Sequence, residues 1–204
     1  MKKSSALAVL DFDNIPAGVY AVDCILKKAP IAFVRAGTVT RGRYLVLFGG
    51  STASTSESLE EALATTGGSI IDHAFLPDVH ESLFDSVFGA RRVAPGSLLI
   101  LETDTASSIV RAVEAALKGT PVELLEVRLS DTGLSGKGIA LLTGTLPDVE
   151  AAAALAGAGL GSAPPPHGFS HRVIAAPHDV LERDITATTR FNDAPLLELD
   201  GEAG

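Results

Sequence analysis

The 204-residue sequence holds a single cysteine, fewer basic than acidic residues and no long apolar run, and each shortage narrows what the chain can be. One thiol, Cys24, excludes an intramolecular disulfide framework. It gives no support to a structural zinc site, and it fits a reducing, cytoplasmic setting. Lys and Arg number 16 against 25 Asp and Glu, a formal net charge of -9. A mainly electrostatic grip on nucleic acid or on an anionic membrane is therefore disfavoured, and neither is expected as a partner. No stretch approaches the ~20 apolar residues of a membrane span. The start, Met1 to Ser5, imitates the basic end of a secretory signal, but the apolar run from Ala6 to Leu10 stops at Asp11, too early for its hydrophobic region. A soluble, unprocessed chain is expected. What is plentiful is apolar side chain: 46% of residues are hydrophobic and 20% charged, which predicts a packed core. The length exceeds the ~100–150 residues typical of one domain, so the first question is how the chain divides.

Sliding the sequence against itself answers it. At an offset of 91, Leu10 meets Leu101, Asp13 meets Asp104, Val19 meets Val110, Ala21-Val22 meets Ala112-Val113, Leu26-Lys27 meets Leu117-Lys118 and Pro30 meets Pro121. Conservative pairs fill the gaps: Val9 with Ile100, Asp11 with Glu102, Asp23 with Glu114, Ile31 with Val122. Beyond residue 35 the offset becomes 94, pairing Gly42-Arg43 with Gly136-Lys137, Leu47 with Leu141 and Gly50 with Gly144. The second half thus carries three extra residues in between. Later, His80 and His178 fall at equivalent positions, which predicts a shared structural contact. A period near 90 is too long for a solenoid unit of roughly 20–50 residues, so the chain is a domain duplication.

Each half reads as β-α-β-β-α-β. In the first, Ala6 to Phe12 is an apolar strand ending in acid. Asn14-Ile15-Pro16 then offers a cap and an early proline, and Val19, Val22, Ile25, Leu26 and Ala29 recur at helical spacing before Pro30. Strands are predicted over Ile31–Arg35, Tyr44–Phe48 and Ser69–Leu76, with a helix over Thr55–Ala64. The second half repeats the pattern with strands near Ser97–Glu102, Val122–Arg128, Gly138–Thr143 and His171–Ala175, and helices near Ala106–Lys118 and Pro147–Ala158. This order predicts an α+β fold of two tandem ferredoxin-like, split-βαβ domains over 1–90 and 96–185. The linker falls near Phe88–Pro95. A C-terminal tail, 186–204, has no counterpart in the first half past Phe191; its acidic, Gly-rich end is expected to be mobile, although Pro195-Leu196-Leu197 could dock on a neighbour. Ala163 to Gly168 reads as a surface loop.

Catalytic constellations do not assemble. Of the five histidines only His167 and His171 stand four apart, across a proline-glycine loop rather than on one helix. Gly133-Leu134-Ser135-Gly136-Lys137 lacks the first half of a P-loop and has Gly138 in place of its hydroxyl residue. Gly157-Ala158-Gly159-Leu160-Gly161 follows a helix rather than a strand, so it is no dinucleotide fingerprint. No nucleophile elbow is present, and no enzyme activity is expected.

The helix endings Asp23-Cys24-Ile25-Leu26-Lys27 and Glu114-Ala115-Ala116-Leu117-Lys118, with the strands Gly42 to Gly50 and Gly136 to Gly144, resemble the bacterial microcompartment (BMC) shell domain. The tandem is similar to the trimeric two-domain class, nearest in pattern to the single-layer tandem subunits of propanediol-utilisation compartments. The resemblance implies a homotrimeric, pseudohexameric tile in a cytoplasmic compartment shell, with hexameric and pentameric shell proteins as partners. It implies a central opening lined by Gly37, Thr38, Val39, Thr40 and Arg41 from one half and by Ser130, Asp131, Thr132, Gly133, Leu134 and Ser135 from the other. Such a polar, mixed-charge lining favours small polar metabolites; as ordinary turn residues, Arg41 and Asp131 would instead face solvent or pair with each other. Lys27 and Lys118 match the family's tile-edge lysines, while as plain helix-end cations they would complement the helix dipole. Some members place a cysteine in the first loop for an iron–sulfur cluster; that position here is Thr40, so neither cluster nor other cofactor is implied. Cys24 is expected instead as a small buried hydrophobe of the first helix. The alternative from another class is a ferredoxin-like regulatory protein binding a small effector between subunits.

Overall fold

A computed structural model describes residues 6–161 and 168–195. In the first half, β1 (Ala6–Phe12), α1 (Ile15–Lys28), β2 (Phe33–Thr38), β3 (Tyr44–Gly50), α2 (Thr52–Thr66), β4 (Ile70–Leu76) and α3 (Glu81–Val87) follow one another. The second half has β5 (Ser97–Thr103), α4 (Ala106–Gly119), β6 (Glu123–Leu129), β7 (Gly138–Gly144), α5 (Leu146–Gly159), β8 (Phe169–Ile174) and α6 (Asp179–Ala187). The sheets are antiparallel and ordered β2-β3-β1-β4 and β6-β7-β5-β8, the split-βαβ topology twice. Ladder register ties the halves together. Phe12 faces Tyr44 as Thr103 faces Gly138, and Leu7 faces Leu76 as Leu98 faces Ile174.

Local chemistry explains the helix starts. Asn14 accepts the Ala17 N–H at 2.9 Å with Pro16 in the first turn, and Thr105 accepts the Ser108 N–H at 3.0 Å. Each half also ends in a helix that the sequence pattern did not predict. The two are short, and the apolar positions of α3 serve different neighbours, so they show no simple stripe. Their caps are the equivalent histidines: His80 Nδ1 accepts from Ser82 N–H and His178 Nδ1 from Val180 N–H, both at 3.2 Å. The shared structural contact predicted for this pair is therefore a helix cap.

Strand β2 runs three residues further than predicted. Gly37 and Thr38, expected in the first loop, pair with Leu45 and Tyr44, because the β3 partner continues the ladder that far. Cys24 is half-buried rather than buried, since it lies on a helix whose outer side none of the described residues covers. Met1 to Ser5, most of the proline-rich loop and Leu196 onward lie outside the described residues.

The alternation of β1 divides the core. Ala8, Leu10 and Phe12 pack under α1 and α2 with Val46, Phe48 and Ile25. Leu7 and Val9 face the other way, into a cluster shared with Ile109, Val113 and Leu117 of α4. The first sheet is thus covered on both faces, by its own helices and by α4 of the second half. A shape exchange marks the inner layer. Gly18 of α1 leaves room for the Tyr44 ring, whose carbon a Cβ would approach to 2.4 Å; at the same place in the second half Gly138 leaves room for Ile109 of α4, at 2.3 Å.

Candidate functional site: the paired loops and the seam between halves

The two predicted loops meet. Thr40 lies in a single 3-10 turn after β2, and its hydroxyl accepts the Gly136 N–H at 2.9 Å and donates to the Ser130 carbonyl at 3.3 Å. Val39 donates its N–H to the Arg43 carbonyl at 2.9 Å, closing the turn, and Arg41 stands exposed at its tip with φ of 67°. In the second loop Ser130 and Ser135 also have positive φ, near 50°, an unfavourable region for a side-chain-bearing residue. Hydrogen bonds hold them: Ser130 Oγ donates to the Gly136 carbonyl at 2.8 Å, Leu134 N–H to Asp131 and Lys137 N–H to Leu134. Gly133 sits exposed between, also with positive φ.

Asp131 does not pair with Arg41. Its carboxylate takes Arg128 Nη2 at 2.7 Å and Nε at 3.1 Å, together with Arg190 from the segment after α6. Arg128, itself buried, also donates to the carbonyls of Thr132 and Thr189. A cleft of about 730 Å³ runs between β2 and β6, with Thr38, Thr40, Asp131 and Thr132 among its walls. Sequence reasoning missed Arg128 and Arg190, since nothing in the spacing links them to the loop.

The seam between the halves was also missed, although Asp11 at the end of an apolar strand was a visible signal. Asp11 is buried where α4 begins, accepting N–H groups of Ala106 (3.2 Å) and Ser107 (2.8 Å) and the Ser107 hydroxyl (2.6 Å). Burial lifts its carboxyl to about 6 against those donors, with nearby Asp72 adding to the rise. Asp72 meets Arg111 of α4 through both oxygens, at 3.0 and 3.1 Å, and takes the Thr105 hydroxyl at 2.5 Å. These groups lock α4 to β1 and β4.

The two matched lysines differ in surroundings. Lys118 pairs with Glu114 at 2.7 Å and donates to the Asp78 carbonyl, so it stands at the seam with its side chain half exposed. Lys27 pairs with Asp23 at 2.6 Å on the open side of α1, and that carboxylate holds the ammonium pKa above its ordinary value. Among the described residues no three His, Cys, Asp or Glu side chains gather as metal ligands.

The equivalent apolar positions of the two helices have opposite fates. Val110 and Leu117 of α4 are 0% and 6% exposed, while Val19 and Leu26 of α1 are 52% and 54% exposed. Ile15 and Tyr20 extend the open stripe. Such a continuous apolar face on a helix signals a partner.

Comparison with known proteins accords with this geometry. The chain is 26% identical over 185 residues to the bacterial microcompartment shell protein PduT of Citrobacter freundii, spanning 89% of this chain and 98% of that one. The solved structure of a microcompartment protein from Desulfitobacterium hafniense superposes with a TM-score of 0.73 at 28% identity, covering 89% and 99% of the two chains. The fused permuted hexameric shell protein MSM0275 of the RMM microcompartment shares the fold, with a TM-score of 0.56 at 23% identity over 76% of this chain and 81% of that one. The BMC domain, as a family, matches residues 6–79 and again 97–177, so the chain belongs to the BMC-domain family as a tandem of two such domains.

Proposed function

We propose that this bacterial microcompartment shell protein assembles as a homotrimer of six lobes whose central opening admits small polar metabolites. The observation carrying this reading is the contrast between α4, buried on the outer face of the first sheet, and α1, open in the same positions. On the outer face of the second sheet, at the equivalents of residues that α4 covers in the first, Leu98 and Leu141 are already buried in a cluster with Ala94 and Ile185, whereas Ile100 and Ile174 stay partly exposed. Repeating the internal contact between copies lays α1 on that face, and a repeated heterologous contact that closes gives a ring. Three fused pairs complete six lobes.

In such a ring the joined loops line the axis. The Thr38, Thr40 and Thr132 hydroxyls and the exposed Arg41 give a polar rim, while Asp131 contributes a carboxylate already neutralised by Arg128 and Arg190. Small polar or anionic solutes suit this lining better than apolar ones. Lys27 and Lys118 contribute to the tile edge where it meets hexameric or pentameric shell proteins of the same compartment. No cofactor is assigned: where some relatives carry a cluster-binding cysteine, Thr40 offers a hydroxyl engaged with Gly136 and Ser130, and Cys24 lies on α1 instead. No catalytic role is assigned either. None of the described helices is long and apolar enough to cross a membrane.

Sedimentation should give three times the 21.0 kDa chain mass, and negative-stain microscopy should show hexagonal sheets. Isolated dimers or monomers without sheets would favour the regulatory-protein alternative. Replacing Thr40 with Leu should slow flux through the encapsulated pathway while leaving trimers intact; unchanged flux would remove the opening from the proposal.

A further inference from the structure

The seam inside the chain is fastened at one end by a polar clamp. Glu114 and Lys118 stand four apart on α4 and grip the turn between β4 and α3. The Glu114 carboxylate accepts the backbone N–H of His80 at 3.0 and 3.3 Å, and the Lys118 ammonium donates to the Asp78 carbonyl. His80 is at the same time the cap of α3. One ion pair thus satisfies both backbone groups of a turn and fixes the direction in which α3 leaves the sheet.

Every part of this clamp recurs, but its halves do not meet within the chain. Asp23 and Lys27 stand four apart on α1, paired at 2.6 Å and exposed. The β5–β8 register puts Ile174 where Leu76 stands, so Ala176 and His178 take the places of Asp78 and His80. His178 caps α6 with the geometry that His80 uses on α3, and it is exposed, as is Ala176. The differences are mutually consistent. Asp23 is one methylene shorter than Glu114 and needs a closer approach, and the turn it would grip carries Ala175-Ala176 in place of the bulkier Pro77-Asp78.

We infer that Asp23 and Lys27 of one copy clamp the β8–α6 turn of the next copy, Asp23 accepting the His178 N–H and Lys27 donating to the Ala176 carbonyl. This rests on the trimeric reading and names the polar contact that sets its register. The apolar stripe of α1 supplies area, and the clamp selects one position along it. The role is separable from a tile-edge role of Lys27, because the clamp requires the His178 N–H as well as the Asp23–Lys27 pair.

The test measures the concentration at which trimers dissociate, by mass photometry and sedimentation of the full chain. Asp23→Ala and His178→Pro should each raise it at least about tenfold, as expected for loss of one charge-assisted hydrogen bond at every inter-copy seam. His178 has φ of -66°, so proline fits its backbone and deletes the N–H. His178→Ala, which keeps the N–H and loses only the imidazole cap, should dissociate less readily than His178→Pro. The double variant Asp23→Ala with His178→Pro should be no worse than the weaker single variant, because both remove one contact. Circular dichroism of Asp23→Ala and His178→Pro checks that the fold survives in the variants measured. Wild-type trimers with both single variants unchanged, or with strictly additive effects, would overturn the clamp alone. A wild-type chain that never trimerises would overturn the assembly reading with it.

Discussion

Helices α1 and α4 descend from one repeated unit, yet they end in opposite environments, and their side chains differ accordingly. Where α4 carries Arg111, Ser107 and Thr105, bonded to Asp72 and Asp11, α1 carries Tyr20, Pro16 and Asn14; on the second sheet Ser170 stands in register where Asp72 stands on the first. The covalent seam therefore buries its charged network, whereas the ion pairs at the open faces, Asp23–Lys27 on α1 and Glu102–Lys137 on the second sheet, stay in solvent. Physical chemistry favours this division. Two halves joined by a short linker meet at high effective concentration, so their seam forms as the chain folds and tolerates the desolvation of ionised groups. A face that waits for a second copy must stay soluble when exposed and must offset lost translational freedom on association, which favours apolar area with charges kept at its solvated margin.

The sharpest way to break the comparison is to remove the guanidinium that pairs with a buried carboxylate in the covalent seam. Arg111→Ala leaves Asp72 buried without its guanidinium and should destabilise the chain by about 3–5 kcal/mol in chemical denaturation. Tyr20→Ala, at the equivalent exposed position, should stay within about 0.5 kcal/mol at concentrations where the chain is monomeric.

A somewhat smaller effect concerns pH. Asp11 has its folded pKa raised to about 6 from 3.8, so between those values the folded chain binds more protons than the unfolded one. Stability contributed at this site therefore rises as pH falls from about 6 towards 4, by at most about 3 kcal/mol, and is lost again as pH rises through 6. In Asp11→Ala that acid-side gain should vanish from the urea midpoints measured at pH 7 and 5, although the variant is weaker throughout. An identical pH slope in both proteins would detach Asp11 from the seam's energetics.

The smallest effect tests whether the halves solved one packing problem in two ways. Gly138→Tyr places a ring against Ile109 and should cost about 2 kcal/mol through overpacking, read as a drop in melting temperature. Adding Ile109→Gly rebuilds the Gly18–Tyr44 arrangement of the first half and should recover part of the loss. Recovery stays partial because glycine inside a helix costs about 1 kcal/mol.

Much of the fold was legible because its signals are local or repeated. The offset of 91 exposed the duplication, the apolar runs gave strands, and Asn14-Ile15-Pro16 marked the start of α1 within a residue. The loops around Thr40 and Ser130 were found from the same repeat, but their joining was not. Thr40 reaches Gly136 across 96 residues, and no periodicity encodes a contact of that span. The terminal helices escaped for a related reason. Phe84, with Phe88 just past the helix, meets Phe33 in T-shaped contacts, whereas Leu83 and Val87 enter the central core, so the apolar residues of α3 serve two neighbours and form no stripe. Cys24 is expected to be buried because cysteine behaves as a small hydrophobe, but burial depends on what covers the helix, and coverage is a tertiary property.

The sequence alone determined that this chain is two copies of one α+β unit, that its strands are apolar runs, and that acidic charge outweighs basic. These follow from composition and from short-range periodicity, which one chain carries without reference to its partners. Only the tertiary structure decided which copy of the repeated helix is buried. Identical spacing in α1 and α4 yields one helix enclosed by the first sheet and one left open, because among the described residues only α4 of the two matching helices finds the other half's sheet face to cover.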